Sequence, residues 1–242
     1  MTEGKPNPVF ILQSFVNSFA YLYGDAEYLY HVAKTNDKNF EGVQLCRTAL
    51  LLYILCLEGL VNRALDHFLP EHIHDFVIER EEKFSLEDKW LLLPLLATEK
   101  QKVQFDKSSY PWSHFAELVR IRNDFVHPKH DRPAYYRAIT SHNWTPLSWK
   151  EIPDESGIKE TELVYRQTQI PKDPYAVRLN HIETAKRVVD DTIAELDKLL
   201  DGKISKDNWF KSDQMKLIYP TDAQLDDLSV LDQLALKKTS KS

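Results

Sequence analysis

The chain has 242 residues, 43% hydrophobic and 28% charged, enough to bury a real core in one domain with appendages. A net charge of −6 carries no global signature of a nucleic-acid binder, although it leaves room for a local basic patch. Only 6 glycines stand against 12 prolines, and low glycine with long apolar stretches argues against a small-strand barrel or a nucleotide-binding α/β fold.

Residues 1–8 are polar and proline-containing without a basic start, so no signal peptide is expected and the chain is read as cytoplasmic. A first helix is predicted from about Val9 to Ala33. Phe15, Phe19, Leu22, Ala26, Leu29 and Ala33 recur there at spacings of four and three, a seam for another helix. A second helix is predicted from about Glu41 to Leu69. It is apolar nearly all round between Ala49 and Val61 and should be the central, most buried helix. Its most apolar run, Ala49 to Leu57, is too short to span a bilayer and is bracketed by Arg47 and Glu58, so no membrane partner is expected. Cys46 and Cys56 lie too far apart along such a helix to pair and should be buried free thiols.

Residues 71–84 read as a short helix or a connector. Ser85-Leu86-Glu87-Asp88 then has the form of a helix start, with Ser85 as N-cap and acids in the first turn, and Pro94 kinks or interrupts the apolar run Trp90 to Leu96. A further helix should start near Trp112, turn Phe115, Leu118, Val119 and Phe125 inward, and end at His127 because Pro128 follows. Residues 129–172 differ in composition and read as an insertion, with a turn at Pro153-Asp154-Glu155-Ser156-Gly157 and an alternation from Leu163 to Ile170 that permits a strand. A last long helix should be capped by Asp173, with Pro174 as its first residue. Val177, Ile182, Ala185, Val189, Ile193, Leu196 and Leu200 form its apolar face, and Gly202 stops it. In the tail, Leu225, Leu228, Leu231 and Leu234 between Asp222 and Lys238 suit a short amphipathic helix, docked either on this domain or on a partner. The expected fold is all-α, an antiparallel helical bundle of about five helices over residues 1–202 with a small β-hairpin in the insertion, followed by a tail over 203–242.

The chemistry-bearing run is Arg122-Asn123-Asp124-Phe125-Val126-His127. Arg120, Arg122, Lys129, His130, Arg132 and Arg137 form a basic island in an acidic chain, against Asp124 and Asp131, as local binding of a phosphate backbone requires. Arg120, Lys129, His130 and Arg132 are the candidate substrate contacts. Tyr135, Tyr136 and Trp144 either stack on unpaired bases or pack the insertion down. Asn123 and His127 share a helix face, so Asn123 can hydrogen-bond the imidazole and fix its tautomer. Arg122 is offset by about 140° from His127, and the two meet only through a bend at Pro128 or across a second subunit. Glu58 and Asn62, one turn apart on the apolar helix, are candidates for orienting the site from behind. Glu58 either holds Arg122 or pairs with Arg63 or Arg47. The histidines and cysteines form no metal-ligand set, and no phosphate-binding glycine loop or nucleophile elbow is present, so neither metal nor cofactor is expected.

Arg122-Asn123-x-x-x-His127 resembles the R-x(4–6)-H signature of HEPN domains, in which a polar residue, often Asn, follows the arginine. The order of elements is similar over about residues 9–201: an apolar helix carrying Glu58 and Asn62, a capped helix with Ser85, Lys89 and Trp90, the motif helix and a long final helix. The segment 129–172 is longer than that layout. The resemblance implies metal-independent RNA cleavage with Arg122, Asn123 and His127 as the catalytic set, a composite site across a homodimer, and a defence or toxin-like role with an inhibitory protein partner. The alternative is a non-catalytic helical module that binds RNA, a nucleotide or a protein. A scaffold built on the first helix's seam and the leucine tail is the third reading.

Overall fold

The computed structural model describes residues 11–36, 40–80, 83–98, 104–127, 137–140, 143–146, 153–159, 163–206 and 214–219. Among them are seven helices: α1 (Ser18–Thr35), α2 (Phe40–Phe68), α3 (Glu71–Ile78), α4 (Leu86–Ala97), α5 (Trp112–Val126), α6 (Leu179–Leu199) and α7 (Lys203–Lys206). Two antiparallel strand pairs accompany them. β1 (Ile11–Phe15) pairs with β4 (Gln214–Tyr219), and β2 (Arg137–Thr140) pairs with β3 (Asn143–Pro146). The architecture is an all-α helical bundle with a small hairpin in the insertion. The chain divides into a helical unit, 18–210, and a second unit made of 1–17 and 211–242.

The helical unit is organised around α2. No residue from Ala49 to Leu65 is exposed, because α1, α4, α5 and α6 all pack on it. By length and composition α2 could also cross a membrane. Here its apolar circumference is covered by helices instead, and each fully buried leucine contributes about 2 kcal/mol relative to exposure. Cys46 and Cys56 are buried free thiols in this helix, and burial pushes the Cys56 thiol up. On its α1 side Gly59 allows a close approach. A Cβ there would stand 3.0 Å from the Phe19 backbone nitrogen and 3.3 Å from the Ser18 carbonyl carbon. Those are backbone atoms that cannot swing aside. Gly59→Ala therefore gains about 1 kcal/mol of helix propensity but loses more to overpacking, for a net destabilisation of about 1–2 kcal/mol. A urea midpoint that falls at constant slope would show it.

Local signals set several boundaries. Ser85 and Asp88 form a capping box at the start of α4, the Ser85 side chain accepting from the Asp88 N–H and the Asp88 carboxylate from the Ser85 N–H. Pro94 sits inside α4 without ending it. α5 starts at Trp112 and is closed by His127, whose φ of −120° and ψ of 67° leave the helical track. Gly202, at φ 76°, stops α6 together with Asp201, at φ 57°. The turn before Gly157 is a single 3-10 turn, Asp154–Ser156.

Three expectations are corrected. The first helix begins at Ser18 and not near Val9, because Ile11–Phe15 instead pairs with Gln214–Tyr219. Leu163 to Ile170 is not a strand. Gln169 takes a positive φ of 57°, Glu117 accepts from the N–H groups of Gln167 and Thr168, and a single bridge, Val164 to Pro171, closes a tight loop whose Tyr165 and Ile170 are buried. Asp173 caps only a 3-10 turn, Pro174–Ala176. The long helix starts at Leu179, after Val177 inserts into the core in extended conformation. There His181 Nδ1 accepts from the Arg178 N–H at 2.9 Å. Burial lowers the His181 pKa to about 4, with Arg178 adding to the effect, so the ring stays neutral and able to accept. The tail from Asp222 to Lys238 lies outside the described residues.

A polar seam joins α1, α2 and α6. Lys186 Nζ stands 2.6 Å from Glu27 Oε1, 2.5 Å from the Tyr23 hydroxyl and 3.4 Å from Asp190 Oδ2. Tyr53 donates to Glu27, and Tyr23 donates to Asp190 at 2.7 Å. Burial opposes charge on Lys186, but Glu27, Tyr23 and Asp190 outweigh it and raise its pKa. At Glu27, burial is likewise outweighed by the bonds from Lys186 and Tyr53, which hold the carboxyl below its ordinary range.

Candidate active site

The apolar helix α2 carries a short polar strip, and two cations from other helices converge on it. Arg122, on α5, donates through Nη2 to Glu58 Oε2 at 2.6 Å and through Nη1 to Asn123 Oδ1 at 2.9 Å. Lys89, on α4 and only 6% exposed, donates through Nζ to Asn62 Oδ1 at 2.8 Å. Glu58 and Asn62 are one helical turn apart, so the two cations reach successive polar positions on one face of α2. A buried charge is tolerated only with such partners. The Arg122–Glu58 pair is not sealed: the two side chains are 25% and 36% exposed. Of the three partners open to Glu58 from the sequence, Arg122, Arg63 and Arg47, it takes Arg122.

The motif residues sit at different depths. Ile121 is fully buried and fastens α5 to the core, Arg122 is half-buried, and Asn123 and His127 are exposed. The Asn123 side chain turns to the guanidinium instead of the imidazole, so the expected fixing of the His127 tautomer by Asn123 is corrected. What joins Asn123 to His127 is the backbone bond from the His127 N–H to the Asn123 carbonyl, 2.9 Å. Asn123 thus helps Glu58 hold the guanidinium plane, and His127 stands free of the helix at its end. Asp124 accepts from the Tyr165 hydroxyl at 2.9 Å, tying the motif helix to the loop at 163–171.

Of the candidate substrate contacts, Arg120 is described. It is 60% exposed, with Nε 3.9 Å from Asp124 Oδ2 and its guanidinium 5.9 Å from the Tyr165 ring centre. Lys129, His130 and Arg132 lie outside the described residues, as do Pro128, Tyr135 and Tyr136. Arg137 and Trp144 fall on β2 and β3. Among the described residues, no group of three His, Cys, Asp or Glu is placed to hold a metal ion. Lys89, placed by the resemblance on the capped helix, is the member of the cluster to which motif reading assigns no role. The signal was its place on the inward stripe of α4 with Leu86, Trp90, Leu93 and Ala97, where a lone cation needs a partner.

Chemically, the arrangement offers a partly exposed guanidinium held by Glu58 and Asn123, and an accessible imidazole at the end of the same helix. The first can hold an anion bidentately, and the second can carry a proton. No family model, characterised protein or solved structure matches the chain.

Proposed function

We propose that this protein is a metal-independent endoribonuclease of the HEPN type, acting as a homodimer in the cytoplasm. The observation that carries the reading is the Arg122 guanidinium, held between Glu58 and Asn123 at the surface of the helix whose end exposes His127. In this chemistry the ribose 2′-oxygen bonds to the adjacent phosphorus and the bond to the 5′-oxygen breaks. The products are a 2′,3′-cyclic phosphate and a 5′-hydroxyl. His127 moves the proton, and Arg122 stabilises the charge that gathers on the phosphoryl oxygens. Arg122 bonds to Glu58 on α2 while His127 is exposed at the helix end, and on a regular helix the two directions differ by about 140°. A composite site, with Arg122 from one copy and His127 from the other, resolves that separation. The biological setting that suits such an activity is defence or a toxin-like role restrained by a protein partner.

The direct test is cleavage of single-stranded RNA by the full chain in EDTA. Cyclic-phosphate ends are the expected product, and intact RNA at high enzyme concentration overturns the reading. A second reading draws on one specific observation, the neutralisation of Arg122 by Glu58, and makes the chain a non-catalytic binding module for RNA, a nucleotide or a protein. Glu58→Gln separates the two. If Glu58 positions Arg122 for the phosphate, the variant should still cut RNA, slower by on the order of tenfold, because a misplaced guanidinium loses alignment. In a pure binding module neither form cuts.

A further inference from the structure

Away from Arg122, the start of α5, the loop at 165–169 and the middle of α6 enclose a groove of about 540 Å³. That volume lies within the range of about 300–1,000 Å³ usual for small-molecule sites. Its walls are fixed. Glu117 locks the loop by accepting from the Gln167 and Thr168 N–H groups at 2.9 and 2.6 Å, and Gln169 is pinned by its own N–H to the Tyr165 carbonyl at 2.8 Å. Tyr110 is anchored by donating its hydroxyl to Asp191, yet the residue stays 44% exposed. The His114 ring meets Tyr110 edge to face at 4.9 Å.

Two groups in this groove keep donors that a ligand could use. Arg187 is exposed, hydrogen-bonds the Tyr110 hydroxyl, and forms no ion pair among the described residues, so the rest of its guanidinium fork is open to a ligand. His114 uses Nδ1 toward the Ser113 hydroxyl at 3.2 Å, and its Nε2 has no partner among the described residues. The one carboxylate at the groove, Asp191, is already engaged by Tyr110. A fork-shaped guanidinium and an imidazole N–H together suit a phosphate. An anchored, exposed tyrosine ring suits a planar base, since its ordering cost is already met by the fold.

We propose that the groove formed by Tyr110, His114 and Arg187 is a binding site for a nucleoside monophosphate, with the phosphate on Arg187 and His114 and the base against Tyr110. The site is separate from Arg122 and does not depend on RNA cleavage. The amides of Gln167 and Gln169 edge the same groove and can read the base by hydrogen bonds.

The test is titration of the full chain with AMP, adenosine and inorganic phosphate, followed by calorimetry. AMP should bind more tightly than either fragment. Arg187→Ala and His114→Ala should each weaken AMP at least about tenfold, the loss of one charge-assisted contact. Tyr110→Leu should weaken AMP and leave phosphate unchanged. Tyr110→Phe, which keeps the ring without the anchor, guards against a folding defect and should bind AMP more weakly than wild type but more tightly than Tyr110→Leu. Arg122→Ala should leave AMP binding intact, which keeps this result independent of the nuclease reading. AMP binding no tighter than phosphate, or unchanged in Arg187→Ala, overturns the proposal.

Discussion

His127→Ala is expected to cut RNA at least about 100-fold more slowly than the wild-type chain, the loss typical of removing a general acid–base. Arg122→Ala should lose about 100- to 1,000-fold, because the charge developing on the phosphoryl oxygens is then unopposed. Arg122→Ala also strands Glu58 on the apolar helix, so its stability must be measured alongside. Arg122→Lys keeps a charge for Glu58 but loses the bidentate fork, and should fold normally while remaining slow. A mixture distinguishes the composite site from a site within one chain. If Arg122 of one copy works with His127 of the other, a dimer of one Arg122→Ala chain and one His127→Ala chain has one intact site. Random mixing should then restore about a quarter of wild-type activity, since half of the dimers are mixed and each has one of two sites. Two inactive variants that stay inactive when mixed would rule out sharing, and variants as active as wild type would end the nuclease reading.

The largest stability effect away from the core should come from Lys186. Lys186→Met keeps the apolar stem but leaves Glu27 and Asp190 facing each other without a cation. The expected cost is about 1–3 kcal/mol, toward the lower end because the Lys186 side chain is 30% exposed. Adding Glu27→Gln should recover part of it, and failure of the pair to couple would refute the account.

The same seam, together with Tyr110, predicts the alkaline limit of the fold. Lys186 is raised from its ordinary 10.5, and burial pushes Tyr23 and Tyr110 from 10.0 to about 12, with Tyr53 raised in the same way. All four bind their protons more tightly when folded. Their contribution is complete below about pH 10 and is lost as pH rises through the folded values. On the acid side, His181 is lowered from 6.5 to about 4 and Glu27 lies below its ordinary 4.5, so the unfolded chain takes up protons first. Stability present above pH 6.5 should therefore decline as pH falls toward 4. Melting temperature against pH should show both limbs, and Lys186→Met should flatten the alkaline one.

The sequence by itself determined what is decided within one or two helical turns. The all-round apolar run of α2, the capping box at Ser85, the stop at Gly202 and the end of α5 at His127 are local, because caps, proline and glycine act on adjacent backbone groups. Arg122, Asn123 and His127 were legible as a motif, and the spacing alone showed that Arg122 would point off the His127 face. Tertiary structure decided the rest, wherever a residue had several partners to choose from. Ile11–Phe15 continued a helical pattern but found Gln214–Tyr219 some two hundred positions away. Leu163 to Ile170 alternated like a strand, yet Glu117 on another element captured its N–H groups and turned it. Glu58 could have met Arg47 or Arg63 on its own helix, and packing of α5 on α2 delivered Arg122. Asn123 had both the guanidinium and the imidazole within reach of its helix face. With Glu58 fixing the guanidinium beside it, the charge-assisted bond to Arg122 won over one to the imidazole.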